Sequence, residues 1–253
     1  MFCPYHKFLV FNLVRRNLKL KYRKSFLGIF WTLLAPLITA LIYYVVFQFI
    51  MKVQVPNYIL FLLLGLMPWG FFVGCLNSGL ESLVANASLL NKIPLPLHAI
   101  AFSDCITAFI NFAFSIPVIL GVAIATQAPI GLSMLAFPYF LFLLFIQGYS
   151  LAIILGLYFV SFRDLRHALQ ILLQIWFYLT PIIYESKMVP ANLNFLVVLN
   201  PLSAIFSGIH DIFIYGQAPS SFQYLHSLIW TLIIFFSSYF VLKYKQDTVI
   251  ESL

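Results

Sequence analysis

Between Asp104 and Arg163 the chain carries no charged side chain and no histidine. One bilayer crossing needs roughly 20 apolar residues, so this run must cross, turn and return. It holds no group with which to relay a proton or to bind a cation by charge. Any work done across the membrane must then draw its energy from elsewhere. The remainder of the chain agrees, with 63% hydrophobic and 8% charged residues and a mean hydropathy of +1.01. A water-soluble domain needs more polar surface than this.

The net charge of +7 invites a nucleic-acid reading, but its placement argues against one. Lys7, Arg15, Arg16, Lys19, Lys21, Arg23 and Lys24 crowd together before the first long apolar run. A basic flank of that kind is a topology signal and a contact for anionic lipid, and no nucleic-acid partner is expected. The basic region is too long for a cleaved leader, and the apolar run after it is long enough to remain as an anchor. Cys3, Cys75 and Cys105 lack metal-ligand spacing and read as buried thiols, with no metal site expected.

The expected fold is an all-α polytopic membrane protein of six transmembrane helices in one domain, residues 1–253. Spans are expected near 26–51, 58–80, 105–125, 132–160, 168–184 and 222–242, with a tail at 243–253. The uncharged run divides at Thr126-Gln127-Ala128-Pro129-Ile130-Gly131, a turn-rich stretch. An even number of spans puts both termini on one side. That side then holds the N-terminal cluster, Lys92, Arg163, Arg166, Lys243 and Lys245, against only Lys52 and Lys187 on the other. The positive-inside rule makes the basic side cytoplasmic.

Two segments fit neither a span nor an ordinary loop. Residues 1–25 contain a basic stripe, Arg15, Lys19 and Arg23 at i, i+4, i+8 with Arg16 beside it. Val10, Phe11, Val14 and Leu18 fall on the other side. This reads as an amphipathic helix in the interface, touching lipid headgroups; a plain topology anchor is the alternative. Residues 188–221 hold two apolar runs, 193–199 and 202–215, each too short to span and parted by Asn200-Pro201. They read as short re-entrant helices on the outer side, either an outer gate at Asn200 and Pro201 or a structural plug.

Glycine is nowhere followed by lysine, so the chain lacks a G-x-x-x-x-G-K-[ST] loop for ATP. All seven acids, Glu81, Asp104, Asp164, Glu185, Asp211, Asp247 and Glu251, are expected at span ends or in loops. Ion-coupled carriers usually place such groups inside the membrane. A membrane enzyme would want a paired acid or histidine at the surface, and no spacing here demands catalysis. Arg163-Asp164 reads as a helix-end ion pair.

The stretch Leu18-Lys19-Leu20-Lys21-Tyr22-Arg23-Lys24-Ser25-Phe26-Leu27-Gly28-Ile29-Phe30-Trp31, followed by Pro36, resembles the "LK-x-RYR-x-S-x-LG-x-x-W…P" opening of ABC-2 permeases that export O-antigen, capsule or teichoic acid. Asn91-Lys92-Ile93-Pro94-Leu95-Pro96 and Arg163-Asp164-Leu165 are similar to that family's cytoplasmic coupling segments. Tyr178-Leu179-Thr180-Pro181-Ile182-Ile183-Tyr184 resembles the end of its fifth helix, and Asn200-Pro201-Leu202 its outer loop. The resemblance implies export of a lipid-linked polysaccharide by two copies of this chain with two copies of a separate ABC ATPase. ATP and Mg would bind in that partner, and this chain would hold no cofactor and catalyse nothing. Coupling to the ATPase would fall on Asn91, Lys92, Pro94, Arg163 and Asp164. An exporter of a small hydrophobic drug or lipid, and an ion-coupled carrier, remain the alternatives.

Aromatic residues make up 18% of the chain, and some must form interface belts. Trp176, Thr180 and Tyr184 share a helical face in the fifth span, with Gln170 and Gln174 earlier on it. Aromatic rings stack on sugar faces and their polar tips reach hydroxyls, so this face, with Trp31 and Trp69, is the expected pathway lining. Helix packing is the alternative. Gly70, Gly74 and Ser78 recur every four residues in the second span and read as a close-packing stripe.

Overall fold

The computed structural model describes residues 4–22, 30–90, 95–129 and 131–252. Arg23, Asn91, Lys92 and Pro94 lie outside the described residues. Among the described residues no strand forms. Apolar surroundings cannot hydrogen-bond a bare backbone, so each run closes its bonds internally as a helix.

Helix α1 is Pro4–Tyr22. Helix α2, Phe30–Tyr44, contains Pro36 and runs on as a π-helical stretch, Val45–Ile50. Helix α3 is Tyr58–Ala85, followed by one short turn, α4, Ala87–Leu90. Helices α5, Leu97–Ala113, and α6, Ile116–Ala125, form one span broken at Ser115. Pro117 has no N–H to donate there, and the Ser115 hydroxyl donates to the Phe112 carbonyl at 2.5 Å. Helix α7, Phe137–Ser161, follows a 3₁₀ turn, Leu132–Ala136. Helix α8 is Leu165–Leu179, and α9 and α10 are Asn194–Leu199 and Ser203–Ile214. Helix α11, Ser221–Ser252, closes the chain.

Among the described residues, five helices are long and apolar enough to cross a membrane, six if the pair Ala191–Leu199 and Ser203–Ile214 counts as one broken span. That pair bends by 101° at Asn200-Pro201, where the sequence places two short helices. The expected turn after the third span also forms. Gln127 takes a left-handed φ of 53° and the Ala128 amide donates back to the Ala123 carbonyl at 2.9 Å. The fifth expected span is shorter as a helix than its apolar run. It has 15 residues, about 22 Å at 1.5 Å per residue. Thr180 is extended (φ −97°, ψ 138°) because Pro181 disfavours helix at the residue before it.

Helices α3 and α7 form the centre, with 78% and 61% of their most apolar windows buried, against 6% for α2. They meet through small residues. A side chain on Gly79 would collide with Ala152, and a Cβ on Gly156 would stand 2.8 Å from the Gly79 carbonyl oxygen. The close-packing stripe is therefore not Gly70, Gly74 and Ser78. A Cβ on Gly70 would meet nothing within 4 Å, and that stripe floors an open groove. Periodicity finds a small-residue face but cannot say which of two such faces meets a neighbour.

Helix α10 is buried nearly throughout, wedged against α3, α7 and α11. Gly208 lets it approach the ring of Phe140, and His210 Nε2 donates to the Phe61 carbonyl at 3.1 Å. The break is tolerated on the α10 side because protein surrounds that helix, whereas α9 stays largely exposed. At the end bearing α1, a second apolar core joins Leu13, Leu83, Leu97, Ile100, Leu157 and Val249. This end is called the basic pole below.

Candidate functional site

At the basic pole the connection from α3 to α5 and the start of α8 come together. Arg166, in the first turn of α8, pairs with Glu81 near the end of α3 at 2.9 Å. Arg163 lies over the Phe159 ring at 5.1 Å. In place of the expected Arg163–Asp164 ion pair, both arginines lie over Phe159, and the acid paired with α8 comes from α3. Asp164 immediately precedes α8 without a side-chain cap bond. Its charge still suits the positive end of the helix dipole.

Helix α1 departs from the expected interface helix in one respect. Leu13 and Val14 are buried against the protein, while Phe8 and Phe11 are 69% and 63% exposed. Arg15 and Lys19 are exposed on the same outer side. Arg16, expected among the headgroup contacts, instead donates to Asn86 Oδ1 at 2.6 Å. The Asn17 amide donates to Asp104 Oδ1 at 2.7 Å, and Tyr22 donates to Asn111 at 2.6 Å. Burial holds the Tyr22 phenol above its usual pKa. Asp104 also corrects the placement of the acids, because it lies inside α5 and is only 9% exposed.

A groove of about 490 Å³ opens between α2 and α5 over the floor of α3. Trp31, Gly70, Gly74, Ser78 and Asn111 line it. Trp31 lies in the wall of this groove and is 51% exposed. On the other flank of α3, exposed Gln170 of α8 donates to Asn77 at 2.9 Å, and Gln174 is exposed one turn further on.

The remaining aromatics expected along a pathway are committed elsewhere. Trp69 is 9% exposed and packs on Phe72 and Phe177. Trp176 Nε1 donates to Asn200 Oδ1 at 2.9 Å, and the same oxygen accepts the Leu202 amide at 3.0 Å. Asn200 Nδ2 donates to the Thr180 hydroxyl at 2.9 Å and to the Leu179 carbonyl at 3.1 Å. Asn200 is 5% exposed and Thr180 fully buried. Trp176, Thr180 and Asn200 thus form a joint between the end of α8 and the α9–α10 bend. Pro201, with no N–H, completes the break. Tyr184 lies past the end of α8 and donates to the Tyr178 carbonyl at 3.0 Å, so it does not share the helical face of Trp176. The face expected through Tyr184 ends early because α8 stops at Leu179. The sign was Pro181 in the sequence.

Beyond the joint, a polar belt surrounds the end of α10. Gln223 donates to Asp211 at 2.6 Å, Tyr215 donates to Glu185, and Lys187 lies over the Tyr215 ring at 5.3 Å. Burial and the Glu185 carboxylate raise the pKa of the Tyr215 phenol. Gly216 turns the chain here at φ +64° against Pro129, where a Cβ would stand 2.7 Å away.

Residues 9–214 match the family described as ABC-2 type transporter. The chain belongs to that family. An O-antigen export system permease protein, RfbA, of Klebsiella pneumoniae is 31% identical over 89% of this chain and 87% of its own length. RfbA of Myxococcus xanthus is 27% identical over 97% of this chain and 95% of its own length. The polysialic acid transport protein KpsM of Escherichia coli is 24% identical over 97% and 96%. The matches run nearly end to end, as the sequence resemblance does. This ABC-2 chain is a multi-pass membrane protein with a transport role.

Proposed function

We propose that the chain is the membrane subunit of an ATP-driven exporter that moves a lipid-linked polysaccharide across the bacterial cytoplasmic membrane. It works as one of two copies beside two copies of an ABC ATPase, which holds the ATP and Mg. The observation that carries this reading is the near full-length similarity to O-antigen export permeases. The charge bias makes the basic pole cytoplasmic and both termini with it. ATP-driven closure of the partner pushes on the α3–α5 connection, which contains Asn91, Lys92 and Pro94, and on Arg163 and Asp164. The Glu81–Arg166 pair lets the two contacts move together.

The second copy and the cargo meet the exposed side of α8 and α2. Gln170, Gln174 and Asn77 are polar groups poorly suited to lipid, and Trp31 supplies a sugar-stacking ring. Arg15 and Lys19 lie in the headgroup layer beside Phe8 and Phe11. Loss of the chain is expected to trap finished polymer in the cytoplasm, read by fractionation and glycan analysis. Unchanged surface glycan, with no redundant exporter present, sinks the reading. Trp31→Ala combined with Gln174→Leu is expected to cut export while the complex with the ATPase still purifies. Normal export in that variant removes these residues from the pathway.

A further inference from the structure

The polar contacts of α1 form one relay across the α3–α5 connection. Asn86 follows α3, anchored by its own amide, which donates to the Ser82 carbonyl at 2.7 Å. Its Oδ1 accepts from Arg16. Arg16 reaches the side-chain oxygen of Asn17 at 3.2 Å, and Asn17 donates to Asp104. Asn86 and Asp104 stand on either side of the connection, and two adjacent residues of a distant helix hold both. Tyr22–Asn111 repeats the grip two turns further along α5.

These contacts do a different job from the apolar docking of the same helix. Leu13, Leu83, Leu97 and Val249 hold α1 to the bundle, but apolar contacts are non-directional and tolerate sliding. Hydrogen bonds to a largely buried carboxylate and a buried amide set one register. Their partners flank the stretch on which a separate motor acts, if the proposed function holds. We propose that Arg16 and Asn17 are positioning residues. They clamp α1 across the α3–α5 connection, so that α1 moves as one body with the surface that receives the ATPase stroke. The inference rests on the proposed function.

The test uses the full permease–ATPase complex in vesicles and reads polymer exported per ATP hydrolysed. Asn17→Leu keeps the apolar docking and removes the donor to Asp104. It is expected to leave assembly and ATP hydrolysis near wild type and to lower export per ATP by roughly 5- to 150-fold, the span of ordinary coupling energies. Arg16→Ala is expected to act in the same direction. The exchange Asn17→Asp with Asp104→Asn restores a donor–acceptor pair and is expected to recover export. Where Asn17→Leu does not assemble, Asn17→Ser takes its place. Export per ATP unchanged in both single variants overturns the proposal. A parallel loss of assembly, hydrolysis and export that the exchange does not repair also overturns it, because the contacts are then structural only. A wild-type complex that hydrolyses ATP without exporting polymer defeats the proposed function, independently of the variants.

Discussion

The two ends of the molecule solve the same problem, joining helices by polar side chains, in opposite ways. At the Asn200 joint one buried side chain makes four hydrogen bonds, to Trp176, Leu179, Thr180 and Leu202. At the basic pole the Arg166–Glu81 pair is half exposed, while Arg16–Asn86 and Asn17–Asp104 each end on a buried group. A dry, fully paired group is costly to break, since every orphaned partner bears its desolvation penalty. A solvent-accessible pair can open and close cheaply, because water replaces the lost partner. The Asn200 joint suits a fixed pivot, and the half-exposed Arg166–Glu81 pair suits an end that must move.

The largest expected effect is at the pivot. Asn200→Ala strands the Trp176 and Leu202 N–H groups, each at about 1–3 kcal/mol. The purified protein in detergent is expected to melt markedly earlier or fail to assemble. Wild-type melting would show that the joint contributes no stability of that size. A smaller effect is expected for Trp176→Phe, which keeps the ring and loses one hydrogen bond. It should lower stability by about 1 kcal/mol and spare export, which separates packing at this face from substrate contact. The smallest is at the basic pole. Glu81 and Arg166 side chains are 50% and 53% exposed. A double-mutant cycle with Glu81→Gln and Arg166→Gln is expected to return a coupling of about 1 kcal/mol or less, shrinking as salt rises. A coupling as large as that at Asn200 would erase the contrast between the ends.

Much of this architecture was legible in the residues. The turn at Gln127 and the bend at Asn200-Pro201 were marked by breakers between apolar runs. The basic crowding before Phe30 marked α1 as a separate element. The functional faces were harder to read. Trp176 and Thr180 read as lining because a polar aromatic face is odd against lipid, yet the oddness is resolved by a partner 24 and 20 residues away. Asp104 looked like a span-end acid, and its partner lies in a different helix, |i−j| = 87.

Composition and order of residues alone determined that the chain lives in a membrane, where it turns and, through its motifs, which family it resembles; they did not determine the number of crossings, since the expected fifth span is a helix of only 15 residues. Membrane residence and the turns follow from transfer free energies and backbone geometry, which act locally. Only the tertiary structure decided which face of each helix meets protein. A helix apolar on all sides carries no stripe to mark its neighbour, so Gly79 and not Gly70 became the contact with α7. It likewise decided that Asn200 is a pivot and that Arg16 reaches Asn86, because a hydrogen bond needs atoms about 3 Å apart, and only folding brings distant residues that close.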